Sequence, residues 1–295
     1  MDARQNRDRD RRYERMLGRA FWLIAGFAGV EIVGAVVGNS LTLAADAGHM
    51  FLDASALALS WFAMRLSRRA ATNTLTYGYH RFQVLAAFVN GLALIALCAW
   101  IVYEAAGRLR APEAILPLPV LGVALVGLVV NVVAYRMLHG TDNLNVRSAA
   151  LHVLGDLLGS VAAITSALAV LAFGWRWADP VLALAVAAII GRSAWRVLRD
   201  AGHILLEASP RGFDIAEVQT ALTAEVPGVV AVHQVHAWAL TNERPVLTLH
   251  ATVEANADTQ STIERIKAVL KAAFDIHHST VQVEHGDCPD EDQHA

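Results

Sequence analysis

Two stretches of this 295-residue chain repeat one pattern of ionisable groups inside otherwise apolar sequence. ADAGHMFLD carries His49 and Asp53, and LHVLGD carries His152 and Asp156. Both are H-x-x-x-D. On a helix, residues i and i+4 share a face one turn apart, so each stretch presents an imidazole above a carboxylate. Two such faces turned together offer two nitrogens and two oxygens, a tetrahedral set of the kind zinc takes. Two carboxylates and one divalent cation cancel in charge, whereas two unpaired carboxylates in a dry site would cost several kcal/mol. Magnesium and calcium prefer all-oxygen shells, and a soft-metal pump would use thiolates, so the donor set points to zinc-like metals. One His–Asp pair alone reads equally well as a structural hydrogen bond; the repeated spacing is what favours a metal. Asp46, three residues before His49, borders the same face and reads equally as site support or as a structural group. Glu31, Asn90 and Asn131 read as interhelical hydrogen-bonding residues.

A second constellation lies near the C-terminus: His233 and His236 of HQVHAW, His250, His277, His278, Glu284 and His285. If His233 begins one strand and His250 sits on its neighbour, the two imidazoles are adjacent across a sheet, and Glu284 on a last strand approaches them. Surface histidines on strands, with Trp238 as core, are the plainer alternative. The two cysteines, Cys98 and Cys288, are far apart and provide neither a disulfide framework nor a CxxC metal pair.

The elements that must position these groups follow from composition. Hydrophobic residues make up 55% of the chain and charged residues 17%, against roughly 45–50% and about 25% in soluble domains; a membrane is required. Disorder, collagen and disulfide scaffolds are excluded. Apolar stretches of bilayer-spanning length fall near 20–37, 41–64, 82–106, 116–138, 149–173 and 180–198. The first is expected to be a span and not a cleaved signal, because it is long, carries Glu31 and is followed by further spans. With the N-terminus inside, 16 arginines fall on the cytosolic side and three outside, so six spans with both termini cytosolic are expected. The arginine-rich segment 1–19 is expected to be a solvated cytosolic tail rather than a nucleic-acid arm, since Asp2, Asp8, Asp10 and Glu14 interrupt its charge. Spans and short loops make residues 20–208 the membrane domain. From Pro210 the periodicity predicts helix over 213–225, strands over 230–240 and 246–253, helix over 258–274 and a strand over 280–284. That α-β-β-α-β order is a small α+β domain, helices on one face of a three-stranded sheet, spanning 209–286; the polar tail 287–295 is expected to be disordered. The net charge of −3 splits into +5 before residue 209 and −8 after it, and seven of the twelve histidines belong to the acidic part.

ADAGHMFLD, TYGYHRFQVLAAFVNG, NLNVRSAALHVLGDLLGS, WADP and HQVHAW, in this order from about Phe21 to Glu284, resemble the cation diffusion facilitator family in its zinc-exporting branch. The resemblance implies a homodimer of six-helix metal–proton antiporters with a ferredoxin-like cytosolic domain, in a bacterial inner membrane. It implies a transport site of His49, Asp53, His152 and Asp156, with histidine at the first position favouring zinc. It implies a cytosolic zinc site on His233, His250 and Glu284, with help near His277 and His278, and an opposite-charge pair between Arg81 and Glu207. Two departures stand out: the loop after the fourth span has only His139 where relatives are His-rich, and Gln83 replaces the acidic residue of the YGYxRxE stretch. The expected function is zinc export driven by proton entry, with zinc as substrate and regulatory ligand, no organic cofactor, no enzymatic activity and no nucleic-acid partner. The competing readings are a metal-gated channel, a metal sensor and an intramembrane zinc hydrolase; the last needs an open coordination position, and no HExxH occurs.

Overall fold

The computed structural model describes residues 3–67, 71–138, 144–241, 244–286 and 288. Six long helices come first: α1 (Ala3–Gly38), α2 (Leu41–Ser67), α3 (Arg81–Arg110), α4 (Pro117–Leu138), α5 (Leu144–Phe173) and α6 (Ala178–Leu205). Five of them, all but α2, hold segments long and apolar enough to cross a membrane. In α2 the polar groups Asp46, His49 and Asp53 interrupt a helix that is otherwise apolar. The protein is therefore an α-helical membrane protein with a small α+β domain. The arginine-rich start of the chain continues α1 from Ala3, in keeping with arginine's good helix propensity.

The chain divides into two compact units, one of residues 1–62 and 86–198, the other of 63–85 and 199–295. In the first, α2 is the shared element. On one side its Leu41 and Ala45 pack with Leu94, Cys98 and Ile101 of α3 and with Ala183, Ala187 and Ile190 of α6. On the other, Leu43 packs with Ala35 of α1, Val120 and Ala124 of α4, and Ala163 and Ala167 of α5. Half of these contact residues are alanines, which let helix backbones approach where no water exists to drive association. Outward positions carry Trp22, Val36, Tyr103, Leu118 and Trp195, all strongly exposed apolar groups suited to lipid.

In the second unit α7 (Ile215–Glu225) and α8 (Thr259–Phe274) flank β1 (Val229–Ala239), β2 (Pro245–Val253) and β3 (His278–Glu284). Asp214 caps α7 and Asp258 caps α8, each accepting from a first-turn backbone N–H. The sheet order is β1-β2-β3, with β1 antiparallel and β3 parallel to β2. Val218, Leu222, Ile266 and Leu270 of the helices bury against Val232, Val235, Leu247, Leu249 and Ala251, so both helices cover one face. Strand alternation then sends His250 and Glu284 to the other face. The predicted element order holds, with strand and helix ends shifted by one or two residues.

Candidate metal centres

The first centre is built on helix faces. His49 Nδ1 lies 3.1 Å from Asp53 Oδ2, one turn along α2, and His49 Nε2 lies 3.8 Å from Asp156 Oδ1 on α5. One ligand atom from each of the three residues falls within 4.8 Å of the others. Asp156 is 3% exposed. His152 sits one turn before Asp156 on α5; its side chain lies outside the described residues. Three donors from two helices in a mostly buried position suit a divalent cation that brings charge compensation with it.

A second layer of polar groups holds these helices in register. Gly159 of α5 faces Asp46 of α2 so closely that a Cβ there would run into the Asp46 carboxylate; the glycine is what allows α5 to reach α2. Asn131 of α4 donates to Ser160 Oγ at 3.3 Å, and Ser160 in turn bonds Asp46, linking α4, α5 and α2. The interhelical role expected for Asn131 is thus observed. Glu31 of α1 is fully buried beside Gly127 of α4, and neither of its oxygens has a hydrogen-bond partner among the described residues.

At the start of α2 the chain uses the aspartate of WADP. Asp179, fully buried at the start of α6, accepts from Ser40 Oγ at 2.6 Å, Leu41 N–H at 2.7 Å, Thr42 N–H at 3.2 Å and Ser166 Oγ at 3.1 Å. Arg108 Nη1 is 4.0 Å away. An acidic group on the first N–H groups of a helix satisfies donors that have no partner within the helix and complements the helix dipole. Asp179 therefore fixes the end of α2 that leads to His49.

The second centre is built on the open face of the sheet. His233 and His250 are register partners on β1 and β2, and Thr252 pairs with Glu284. A bulge in β1, with Gln234 in the left-handed region at φ 46°, separates His233 from His236. His250 Nδ1 is 2.9 Å from Glu284 Oε1, and His233 Nε2 is 3.2 Å from Glu284 Oε2. Burial alone pushes the Glu284 carboxyl up. Hydrogen bonds from Cys288 and Gln282 and the neighbouring His233 and His250 outweigh it, so the group is held below the usual glutamate range. Cys288 Sγ reaches 3.5 Å from His250 Nδ1, and a donor from each of His233, His250, Glu284 and Cys288 falls within 4.8 Å of the others.

Two family models cover the chain. Residues 17–206 match the cation efflux transmembrane domain and residues 210–286 match the cation efflux protein cytoplasmic domain. The chain belongs to the cation efflux family, the cation diffusion facilitators. Among curated members, it is 44% identical over 283 residues to the zinc transporter ZitB of Escherichia coli, covering 95% of this chain and 90% of that one. It is 37% identical over 272 residues to the cadmium, cobalt and zinc/H(+)-K(+) antiporter of Bacillus subtilis, covering 90% and 87%. It is 36% identical over 295 residues to the metal cation efflux system protein CzcD of Cupriavidus metallidurans, covering 99% and 93%. A solved structure of the metal-bound C-terminal domain of the CzcD transporter is 36% identical, covers 24% of this chain and 99% of that one, and superposes with a TM-score of 0.23. The family's members are transporters, which removes the hydrolase reading.

Within this cation efflux chain, the residues predicted for the two centres separate into groups. His49, Asp53 and Asp156 converge, as do His233, His250 and Glu284. His277 and His278 do not join that second group. His277 is exposed with its Nε2 2.9 Å from Asp275, and His278 packs edge-on to Tyr77 at 6.0 Å. The expected Arg81–Glu207 pair is present at 2.8 Å. His139 lies outside the described residues. Cys288 is the functional candidate that sequence reading passed over; its signal was a thiol four residues beyond Glu284 in an acidic, His-rich segment.

Proposed function

We propose that this chain exports zinc, and to a lesser degree related divalent transition metals, from the cytosol in exchange for protons. The carrying observation is the convergence of His49, Asp53 and Asp156 inside the helical bundle of a cation efflux protein. The activities of its relatives, a zinc transporter and a cadmium, cobalt and zinc antiporter, support substrate and coupling.

The four donors His49, Asp53, His152 and Asp156 hold the cation as substrate. Zinc needs neutral imidazoles and ionised carboxylates, so metal and protons compete for the same atoms. Imidazoles titrate close to neutral pH, which makes the exchange responsive to a modest proton gradient. Facing the cytosol, the site releases protons as zinc binds; facing a more acidic exterior, protons displace the metal. Rocking of the helices around the fixed site supplies alternating access. Residues 20–208 form the membrane domain and 209–286 the cytosolic one, with both termini inside and the chain in a bacterial inner membrane. The working unit is a homodimer, in line with the dimer designation of the matching cytosolic family model. In it, zinc on His233, His250 and Glu284 reduces repulsion between two domains of charge −8 and draws them together.

Reconstitution in proteoliposomes with an imposed pH gradient tests the proposal. Zinc flux is expected to require the gradient and to vanish in Asp53→Ala, with the dimer still folded. Wild-type flux in Asp53→Ala would overturn the site, and flux indifferent to the gradient would move the reading to a channel.

A further inference from the structure

After β3 the chain bends at His285 and Gly286 and carries Cys288 back over the open face of the sheet. Its thiol arrives where three other donors already point. Sγ is 3.5 Å from His250 Nδ1 and 3.8 Å from Gln234 Nε2. Glu284 is only 6% exposed, and its Oε2 lies 3.2 Å from His233 Nε2. A buried carboxylate flanked by two imidazole nitrogens and a thiol is a set of donors that a zinc-like cation takes.

We infer that Cys288 is the fourth ligand of the cytosolic centre, which is thus a thiolate-containing site of two imidazole nitrogens, one carboxylate oxygen and one sulfur. The inference rests on the proposed metal binding by His233, His250 and Glu284. Around zinc, with Zn–N and Zn–O near 2.0–2.2 Å and Zn–S near 2.3 Å, the edges of a tetrahedron measure roughly 3.3–3.8 Å. The 2.9, 3.2 and 3.5 Å separations here need to open by only a few tenths of an ångström. The charges balance, since one carboxylate and one thiolate neutralise one divalent cation. Metal binding releases the thiol proton. Four protein donors leave no open position, so the centre is a structural or sensing site. A thiolate also discriminates: zinc, cadmium and cobalt are retained, while manganese and magnesium are refused. The two centres of one chain thereby differ in softness, with nitrogen and oxygen donors in the membrane and sulfur added in the cytosol.

Cobalt(II) titration of the full-length protein in detergent reads the ligands directly. The wild type is expected to bind two cobalt ions per chain, with tetrahedral visible bands and a near-ultraviolet sulfur-to-cobalt charge-transfer band. Cys288→Ser loses the charge-transfer band and weakens binding at the cytosolic centre by about tenfold or more. Cys98→Ser, altering a buried thiol on α3, keeps the band. Tetrahedral bands at two equivalents with no charge-transfer band in the wild type would overturn the thiolate ligand and leave the metal site standing. Two equivalents retained in Glu284→Gln would instead overturn the site itself. A readout free of substitution is alkylation: saturating zinc is expected to slow iodoacetamide labelling of Cys288, and an unchanged rate overturns the inference.

Discussion

The membrane and cytosolic centres both bring imidazole and carboxylate donors together but depend on different kinds of support. In the membrane, His49 and Asp53 owe their alignment to helix periodicity, and Asp156 comes from a second helix that the glycine contact at Gly159 lets approach. Such a site moves only when whole helices move. In the cytosol, His233, His250 and Glu284 come from three neighbouring strands whose register is fixed by backbone hydrogen bonds. That site is set once the small domain has folded. A site assembled between separate helices is suited to handing its ion across, and a site built on one sheet is suited to holding it. The difference fits the proposed division of labour, transport at the first and sensing at the second.

The sharpest way to break this division is to neutralise one carboxylate in each centre. Asp156→Asn leaves a buried site short of a charge, a loss on the scale of about 3 kcal/mol or more, so zinc flux is expected to fall roughly 100-fold or more at any zinc concentration. Glu284→Gln is expected to abolish the cytosolic equivalent of bound metal and raise the zinc concentration for half-maximal flux by about fivefold or more, the size of a typical coupling between sites. Proteoliposome flux over a zinc series measures both. Equal loss of maximal flux in the two variants would make both centres part of the transport path.

A smaller effect tests whether the helix-built centre depends on long-range anchoring. Asp179→Ala removes the acceptor of two backbone N–H groups at the start of α2 and of the Ser40 and Ser166 hydroxyls, all buried. The cost is expected to be about 3 kcal/mol, a drop of roughly 6–12 °C in the unfolding temperature of the protein in detergent. Cobalt binding at the cytosolic centre below that temperature should be untouched. A melting temperature within about 2 °C of wild type would show that α2 is held by apolar packing alone.

The same contrast explains what the amino-acid sequence disclosed. Local periodicity is strong in long helices, so the spans and the H-x-x-x-D faces were legible from residue types alone. Alternation in the strands left His233 and His250 as possible cross-strand neighbours, and the observed register pairs them. Apart from Arg81 with Glu207, which the family resemblance supplied, contacts between distant single residues were not legible. Ser40 and Asp179 are 139 positions apart, and His250 and Cys288 are 38 apart; no local pattern ties either pair. The β1 bulge at Gln234 also had no signal, since glutamine is an unusual occupant of the left-handed region. Nor did the sequence distinguish His277 and His278 from the clustered histidines. Their separation depends on where β3 starts relative to β2, with His278 opposite Val246 and four positions away from the level of His250.

The smallest expected effect concerns Arg81 and Glu207, whose side chains meet at 2.8 Å while remaining 37% and 59% exposed. Water and salt screen such a pair, and it contributes about 0–1 kcal/mol. Arg81→Gln is therefore expected to shift the melting temperature by no more than about 2–4 °C, far less than Asp179→Ala. If the pair nevertheless acts as a pivot for helix movement, its loss registers in rate rather than stability: zinc flux falls several-fold with an almost unchanged melting curve. The charge-reversed double variant Arg81→Glu with Glu207→Arg then restores the flux, because a pivot needs opposite charges and not a particular order of them. Unchanged flux in Arg81→Gln would reduce the contact to an ordinary surface ion pair and leave the membrane centre to work without it.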